Sequence, residues 1–228
     1  MRKKGQRLWH LMTEELGYKR FAAAGGDGGS PLSQSMAVEH PESIIGVHLT
    51  DLGYHVTMGQ HENLSEAEQA YLQELEGSGY TEGAYAMMLG TKPQTYAYGL
   101  NDSPVGWASL VIEKLRTWSD CNGDLESVYT KDDMLTNIML HWIEGIEPRG
   151  YREEWVAGSV DPNQEINVPV GVAYPPGDLN PIPPREFAER NFKDLRRWTI
   201  LKRGGHFAPL EVPELMAEDL RAFFRDLR

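Results

Sequence analysis

Cysteine is almost missing from this chain. Cys121 stands alone among 228 residues, which excludes an internal disulfide and points to a reducing compartment, the cytoplasm. Long apolar runs are missing too: none approaches the roughly 18 residues that a membrane span requires. The stretch from Gln6 to Met12 is too short and too mixed for a signal-peptide core. Basic charge is scarce, with 22 Lys and Arg against 34 Asp and Glu and a formal net charge of -12. Lys and Arg do not cluster, so a nucleic-acid partner is excluded, because a phosphate backbone must be met by grouped cations. Neither an internal repeat nor a low-complexity tract occurs. What remains is 40% hydrophobic and 25% charged residues, enough apolar material for one sizeable core.

The chain is expected to begin inside a fold. Trp9, Met12 and Leu16 have helical spacing, and Gly17 ends that helix. Lys19 to Ala24 reads as a short buried strand, and Ser30-Pro31 as the N-cap and first turn of a helix. Ile44 to Leu49 is a second apolar strand, of the length used in a parallel sheet covered on both faces. From Asp51 the character changes to helices and loops. Ser65 and Glu68 form a capping box, and Ser103 to Trp118 and Thr130 to Glu144 carry helical periodicity. Ile166 to Tyr174 and Arg197 to Lys202 return to an extended pattern. Pro213 to Leu227 is an amphipathic helix with Leu215, Leu220, Phe223, Phe224 and Leu227 inward. The Pro-rich stretch Pro175 to Pro184 is short enough to be a loop. The expected organisation is an α/β core over 1–50 and 164–228, interrupted by a helical insertion over 51–163.

Gly25-Gly26-Asp27-Gly28-Gly29 lies between the first strand and its helix. It fits a nucleophile elbow, in which a nucleophile on a strained turn is flanked by small residues two positions away. A glycine turn with a solvated aspartate is the commoner meaning of such a stretch in isolation; the strand and helix on either side decide for the elbow. An aspartate there selects the electrophile. A carboxylate displaces well at saturated carbon and leaves an alkyl-enzyme ester, so epoxides and alkyl halides are natural substrates.

His206, in Arg203-Gly204-Gly205-His206-Phe207, follows the last strand, and Asp178 follows the strand ending at Tyr174. Nucleophile, acid, histidine is the chain order of α/β-hydrolases. Asp161 and Asp194 are alternative acids, but neither sits just past a strand end. In this scheme His206 is the general base toward water, and Asp178 holds its tautomer and offsets imidazolium charge.

Together with the elbow and histidine loop, Ser78-Gly79-Tyr80, Thr91-Lys92-Pro93 and Leu100-Asn101-Asp102-Ser103-Pro104-Val105-Gly106 make the chain resemble the microsomal-type epoxide hydrolases nearly end to end. The resemblance implies a partial α/β-hydrolase fold, the C-terminal strands of a mostly parallel sheet with an inserted helical lid, and no cofactor or metal. It also implies two lid tyrosines that donate a proton to the epoxide oxygen, matched by motif to Tyr80 and Tyr151. Two departures stand out. Gly28 replaces the tryptophan that usually follows the nucleophile, though its backbone N–H still serves as an oxyanion donor. The family's preceding half-domain, with its His-Gly-x-Pro motif, has no counterpart here. Its absence would leave the strand from Lys19 to Ala24 at a sheet edge, open to self-association.

His48, His55 and His61 lack the register that puts ligands on one helical face and are read as surface or core histidines. The acidic groups Glu66 to Glu76 and Asp132-Asp133 are read as solvated helix faces and helix N-termini. Trp107, Trp118 and Trp142 are read as lid core. The expected activity is hydrolysis of a small-molecule epoxide to a diol. A haloalkane dehalogenase is the chemical rival, and an inactive homologue acting as a binding protein is the rival of a different class.

Overall fold

The computed structural model describes residues 2–57, 59, 61–145, 151–152, 161 and 163–227; of Tyr54 and His55 it describes the backbone alone. Four strands, β1 (Phe21–Gly25), β2 (Ile44–Leu49), β3 (Val170–Tyr174) and β4 (Leu195–Ile200), form one sheet in the order β1-β2-β3-β4. All three pairings are parallel. The strand ends therefore point the same way, and the loops that follow them gather on one side of the sheet. That shared edge holds the residues 25–29, 50–53, 174–178 and 201–206.

Helix α1 (Arg2–His10) continues through a π-turn at Leu11–Glu15 and stops at Gly17, whose φ of 75° suits glycine. Helix α2 (Gly29–Glu39) returns the chain from β1 to β2. It starts two residues earlier than the sequence suggests, with Gly28 at the N-cap and no side-chain cap. Ser30 does not cap it. Its side chain is fully buried and donates to the carbonyls of Gly25 and Asp51, at 3.4 and 3.2 Å.

Between β2 and β3 runs the helical insertion. After the short α3 (Tyr54–Thr57) come α4 (Glu66–Glu82), α5 (Ala84–Thr91), α6 (Pro93–Asp102), α7 (Pro104–Trp118) and α8 (Lys131–Glu144). Their starts follow capping chemistry. Ser65 and Glu68 form the expected capping box, Thr130 and Asp133 form a second, and Ser103 accepts the N–H of Gly106. Glu68 is itself buried and paired with Arg190 at 2.5 Å, so the helix face it occupies is only partly solvated. The return to the sheet passes a lone bridge between Ile166 and Phe192 before β3 proper begins at Val170, four residues later than the apolar pattern begins.

Helices α9 (Arg185–Glu189), α10 (Ala208–Glu211) and α11 (Pro213–Arg225) complete the chain. Phe21, Val47, Leu49, Val170, Val172, Phe187 and Phe192 are buried in the main core. Helix α11 packs on the sheet through Phe223, whose ring fills the space a side chain on Gly171 would need. The same helix buries Asp219, which accepts from His48 at 2.8 Å and from Arg197 at 2.6 Å. Burial pushes this carboxyl up, but hydrogen bonds from His48, Arg197 and Thr199 outweigh it and hold it well below the usual carboxylate range. His48 is thus a paired core residue, and His61 bonds the Val56 carbonyl at 2.9 Å. The side chain of His55 lies outside the described residues. No helix among the described residues is long and apolar enough to cross a membrane. Strand β1 is at the sheet edge, with Ala22 and Ala24 exposed.

Candidate active site

Asp27 sits on the turn between β1 and α2 with φ of 49°, a left-handed conformation that costs a non-glycine residue on the order of 1–3 kcal/mol. Crowding keeps it there. A Cβ on Gly25 would stand 2.3 Å from the Gly29 carbonyl oxygen, and one on Gly26 would stand 2.1 Å from Thr50 Oγ1. Gly29 itself has open space, so the constraint falls on the residues before the nucleophile.

From the opposite loop His206 reaches Asp27 Oδ2 through Nε2 at 3.1 Å, while its Nδ1 faces both oxygens of Asp178 at 3.3 Å. The imidazole and Asp178 are largely sequestered, at 12% and 9% side-chain exposure, whereas the Asp27 side chain is 60% exposed. The alternative acids are engaged elsewhere: Asp161 accepts from the Asn163 N–H, and Asp194 pairs with Arg196. Desolvation would lower the His206 pKa, but hydrogen bonds and charge from Asp178 and Asp27 prevail and push it up to about 10. Asp27 is held below its usual value, chiefly by the hydrogen bond from His206 against opposing burial, with a further bond from the Gly28 N–H. Thus Gly28 directs its amide at the nucleophile's own carboxylate.

The histidine loop is fastened by groups that the sequence did not single out. Glu211 accepts the N–H groups of Gly205, Phe207 and Asp120 at 2.8, 2.9 and 2.8 Å. Asp120 accepts the N–H of Gly204 at 2.9 Å. The His206 N–H donates to the Trp118 carbonyl at 2.7 Å, so close that a Cβ on Gly205 would stand 2.4 Å from that oxygen. Trp118 also meets the imidazole edge-on, with ring centroids 5.1 Å apart.

The two tyrosines matched by motif fare differently. Tyr80 is 81% exposed on α4. Five residues on, across the break at Gly83, Tyr85 turns inward. It packs on Trp118 at 5.4 Å and edge-on to Tyr151 at 6.0 Å. Burial pushes its phenol far up, joined by Tyr151, to which it hydrogen-bonds, and by the charges of Asp27 and Glu82. Tyr85 therefore pairs with Tyr151 and feels the charge of Asp27, whereas Tyr80 is exposed on the surface. Arg149 and Gly150, which complete the second motif, lie outside the described residues. Lys114 lies 5.2 Å from both the Tyr85 and Trp118 ring centroids, and Glu82 joins Lys114 at 3.2 Å to the Trp118 indole N–H at 2.9 Å. Trp107 and Trp142 are half-buried in the insertion. No grouping of His, Cys, Asp and Glu able to hold a metal occurs among the described residues.

No protein-family model matches the chain. A Stigmatella aurantiaca (strain DW4/3-1) protein, provisionally named an epoxide hydrolase, is 35% identical over 97% of this chain and 50% of its own length. Epoxide hydrolase 1 of Sus scrofa is 32% identical over 95% of this chain and 53% of its own. The juvenile hormone epoxide hydrolase structure from the silkworm Bombyx mori superposes with a TM-score of 0.83 at 25% identity, covering 97% of this chain and 58% of that one. The chain spans about half the length of the curated relatives it matches. By sequence the chain is similar to epoxide hydrolases, and by fold it matches about half of the α/β-hydrolase fold of their solved structures.

Proposed function

We propose that the chain carries the catalytic centre of an epoxide hydrolase, with the helical insertion over 51–163 acting as its lid. The observation that carries this reading is the continuous hydrogen-bonded line from Asp178 through His206 to Asp27, at the ends of parallel strands. In the resting site His206 bridges two carboxylates and holds a proton. Asp27, kept ionised, attacks an epoxide carbon; the C–O bond breaks as Tyr85, hydrogen-bonded to Tyr151, gives its proton to the ring oxygen. Tyr85 takes the place that motif matching gives to Tyr80. The alkyl ester that results is neutral. Asp27 then no longer raises the His206 pKa, and the imidazole passes its proton through water to the Tyr85 phenolate, which restores the phenol and leaves His206 a neutral base.

Neutral His206, oriented by Asp178, removes a proton from a water that attacks the Asp27 ester carbonyl. The oxyanion forms on the Asp27 carboxyl itself, where the Gly28 N–H already points. Collapse expels the alkoxide, which takes the imidazolium proton and leaves as the vicinal diol, while the Asp27 carboxyl returns its own proton to His206 and regenerates the carboxylate. Replacing Asp27 with Asn or Ala tests the reading: neither purified variant should form diol, and undiminished diol formation by either would overturn it. Halide release from a chloroalkane without diol from an epoxide would favour a dehalogenase instead.

A further inference from the structure

The residue after Thr50 holds a carboxylate that the proposed chemistry does not use. Asp51 lies at the turn following β2, beside the elbow. Its Oδ2 accepts the backbone N–H of Asp27 at 2.6 Å, and its Oδ1 accepts the N–H of Gly53 at 2.7 Å. The Ser30 hydroxyl, in the first turn of α2, lies beside the same residue and helps to keep its carboxylate charged. The first turn of α2 uses the neighbouring amides: Gly29 donates to the Gly26 carbonyl at 2.8 Å and Ser30 to the Asp27 carbonyl at 3.0 Å. That pattern leaves the nucleophile's own amide over, on a residue with φ of 49°. The acceptor that meets it comes from the turn after the neighbouring strand β2.

We propose that Asp51 is a positioning residue for the nucleophile, its carboxylate gripping the Asp27 amide and fastening the elbow to the turn after β2. This rests on the reading of Asp27 as the nucleophile. Two amides converge on two oxygens, and only a carboxylate accepts both. Asparagine offers one acceptor and one donor, so it keeps one of the bonds and sets an NH₂ group against the other amide. There is little room to compensate, since a Cβ on Gly26 would stand 3.5 Å from Asp51 Oδ2 and closer still to Thr50.

The titratable groups in the field of Asp51 are Asp27, Tyr71 on α4 and Tyr174 at the end of β3. Burial pushes the Asp51 carboxyl up to about 6, helped by the charge on Asp27 and opposed by the hydrogen bonds it accepts. Burial holds both phenols far above their usual value, so neither changes charge in this range. Above about pH 6 both Asp51 oxygens accept; below it one becomes a hydroxyl and the grip weakens.

Amide hydrogen exchange of the intact chain, followed by NMR and corrected for intrinsic rates, tests the grip directly. In Asp51→Ala the Asp27 amide should exchange at least about tenfold faster, with the sheet amide of Val47 unchanged. Asp51→Asn should fall between the two. In the unsubstituted chain, protection at Asp27 should step down as pH falls through about 6, and Asp51→Asn should show no step. Turnover of an epoxide should lose kcat in Asp51→Ala while KM holds. Unchanged Asp27 protection in the alanine variant overturns the proposal; should that variant not fold, absence of the pH step in the unsubstituted chain does so. If the unsubstituted chain opens no epoxide, the hydrolase reading fails, and exchange at Asp27 alone decides the role of Asp51.

Discussion

The charge on His206 depends on Asp27, and the structure sets the size of that dependence. Replacing Asp27 with Asn removes one of the two carboxylates that hold the imidazolium. At 3.1 Å, unit charges attract by about 5 kcal/mol at an effective dielectric constant of ~20 and by about 1.3 kcal/mol in bulk water. The Asp27 side chain is 60% exposed, which places the pair nearer the weaker limit. At about 1.4 kcal/mol per pH unit, the expected fall is roughly one to two units. His206 should therefore titrate near 10 in the parent chain and at roughly 8–9 in Asp27→Asn. Imidazole NMR titration of the two proteins reads this directly. Asp178→Asn, which removes the more buried partner, should lower the value further. Parent and Asp27→Asn proteins titrating together would refute the coupling, and with it the idea that alkylation of Asp27 releases the base.

The same pair has a signature in stability. The raised pKa of His206 contributes stability fully below its ordinary value near 6.5 and loses it as pH rises through about 10; thermal melts of the parent, but not of a His206→Gln variant, should fall across that window. Tyr85→Phe should lower kcat for epoxide opening by roughly 10²-fold or more, while Tyr80→Phe should change it by less than about twofold, as steady-state kinetics would show. Gly205→Ala drives a Cβ to 2.4 Å from the Trp118 carbonyl and should displace the His206 loop, measurable as lost turnover and a lower melting temperature. Asp219→Ala leaves the buried His48 and the one-third-exposed Arg197 without their carboxylate and should cost about 3 kcal/mol in denaturant unfolding.

Much of this site can be read from local sequence because the signals are themselves local. The crowding that requires Gly25, the capping box at Ser65 and the apolar run of β2 each involve neighbours within a few positions, whereas Gly26 is crowded by Thr50 from the turn after β2. Asp178 and His206 are marked as candidates by their places just after strands, since a parallel sheet gathers those positions. What escaped was long-range. Asp51 contacts a residue 24 positions away, and Asp120 meets the histidine loop 84 positions later, with no periodicity to announce either. Tyr80 and Tyr85 differ by five residues, about 140° on a continuous helix, and the break at Gly83 decides which faces inward. A short motif carries no such phase. Ser30 has the chemistry of an N-cap, but its full burial sends the hydroxyl to two carbonyls instead.

The central claim is that Asp27 forms a covalent ester. A single turnover in ¹⁸O-labelled water, with protein in excess over epoxide, tests it most directly. The ester route predicts a diol whose new oxygen is unlabelled, and label in the Asp27 carboxyl recovered by peptide mass spectrometry. Label in the diol and none at Asp27 would mean that water attacks the epoxide itself, and would contradict the account.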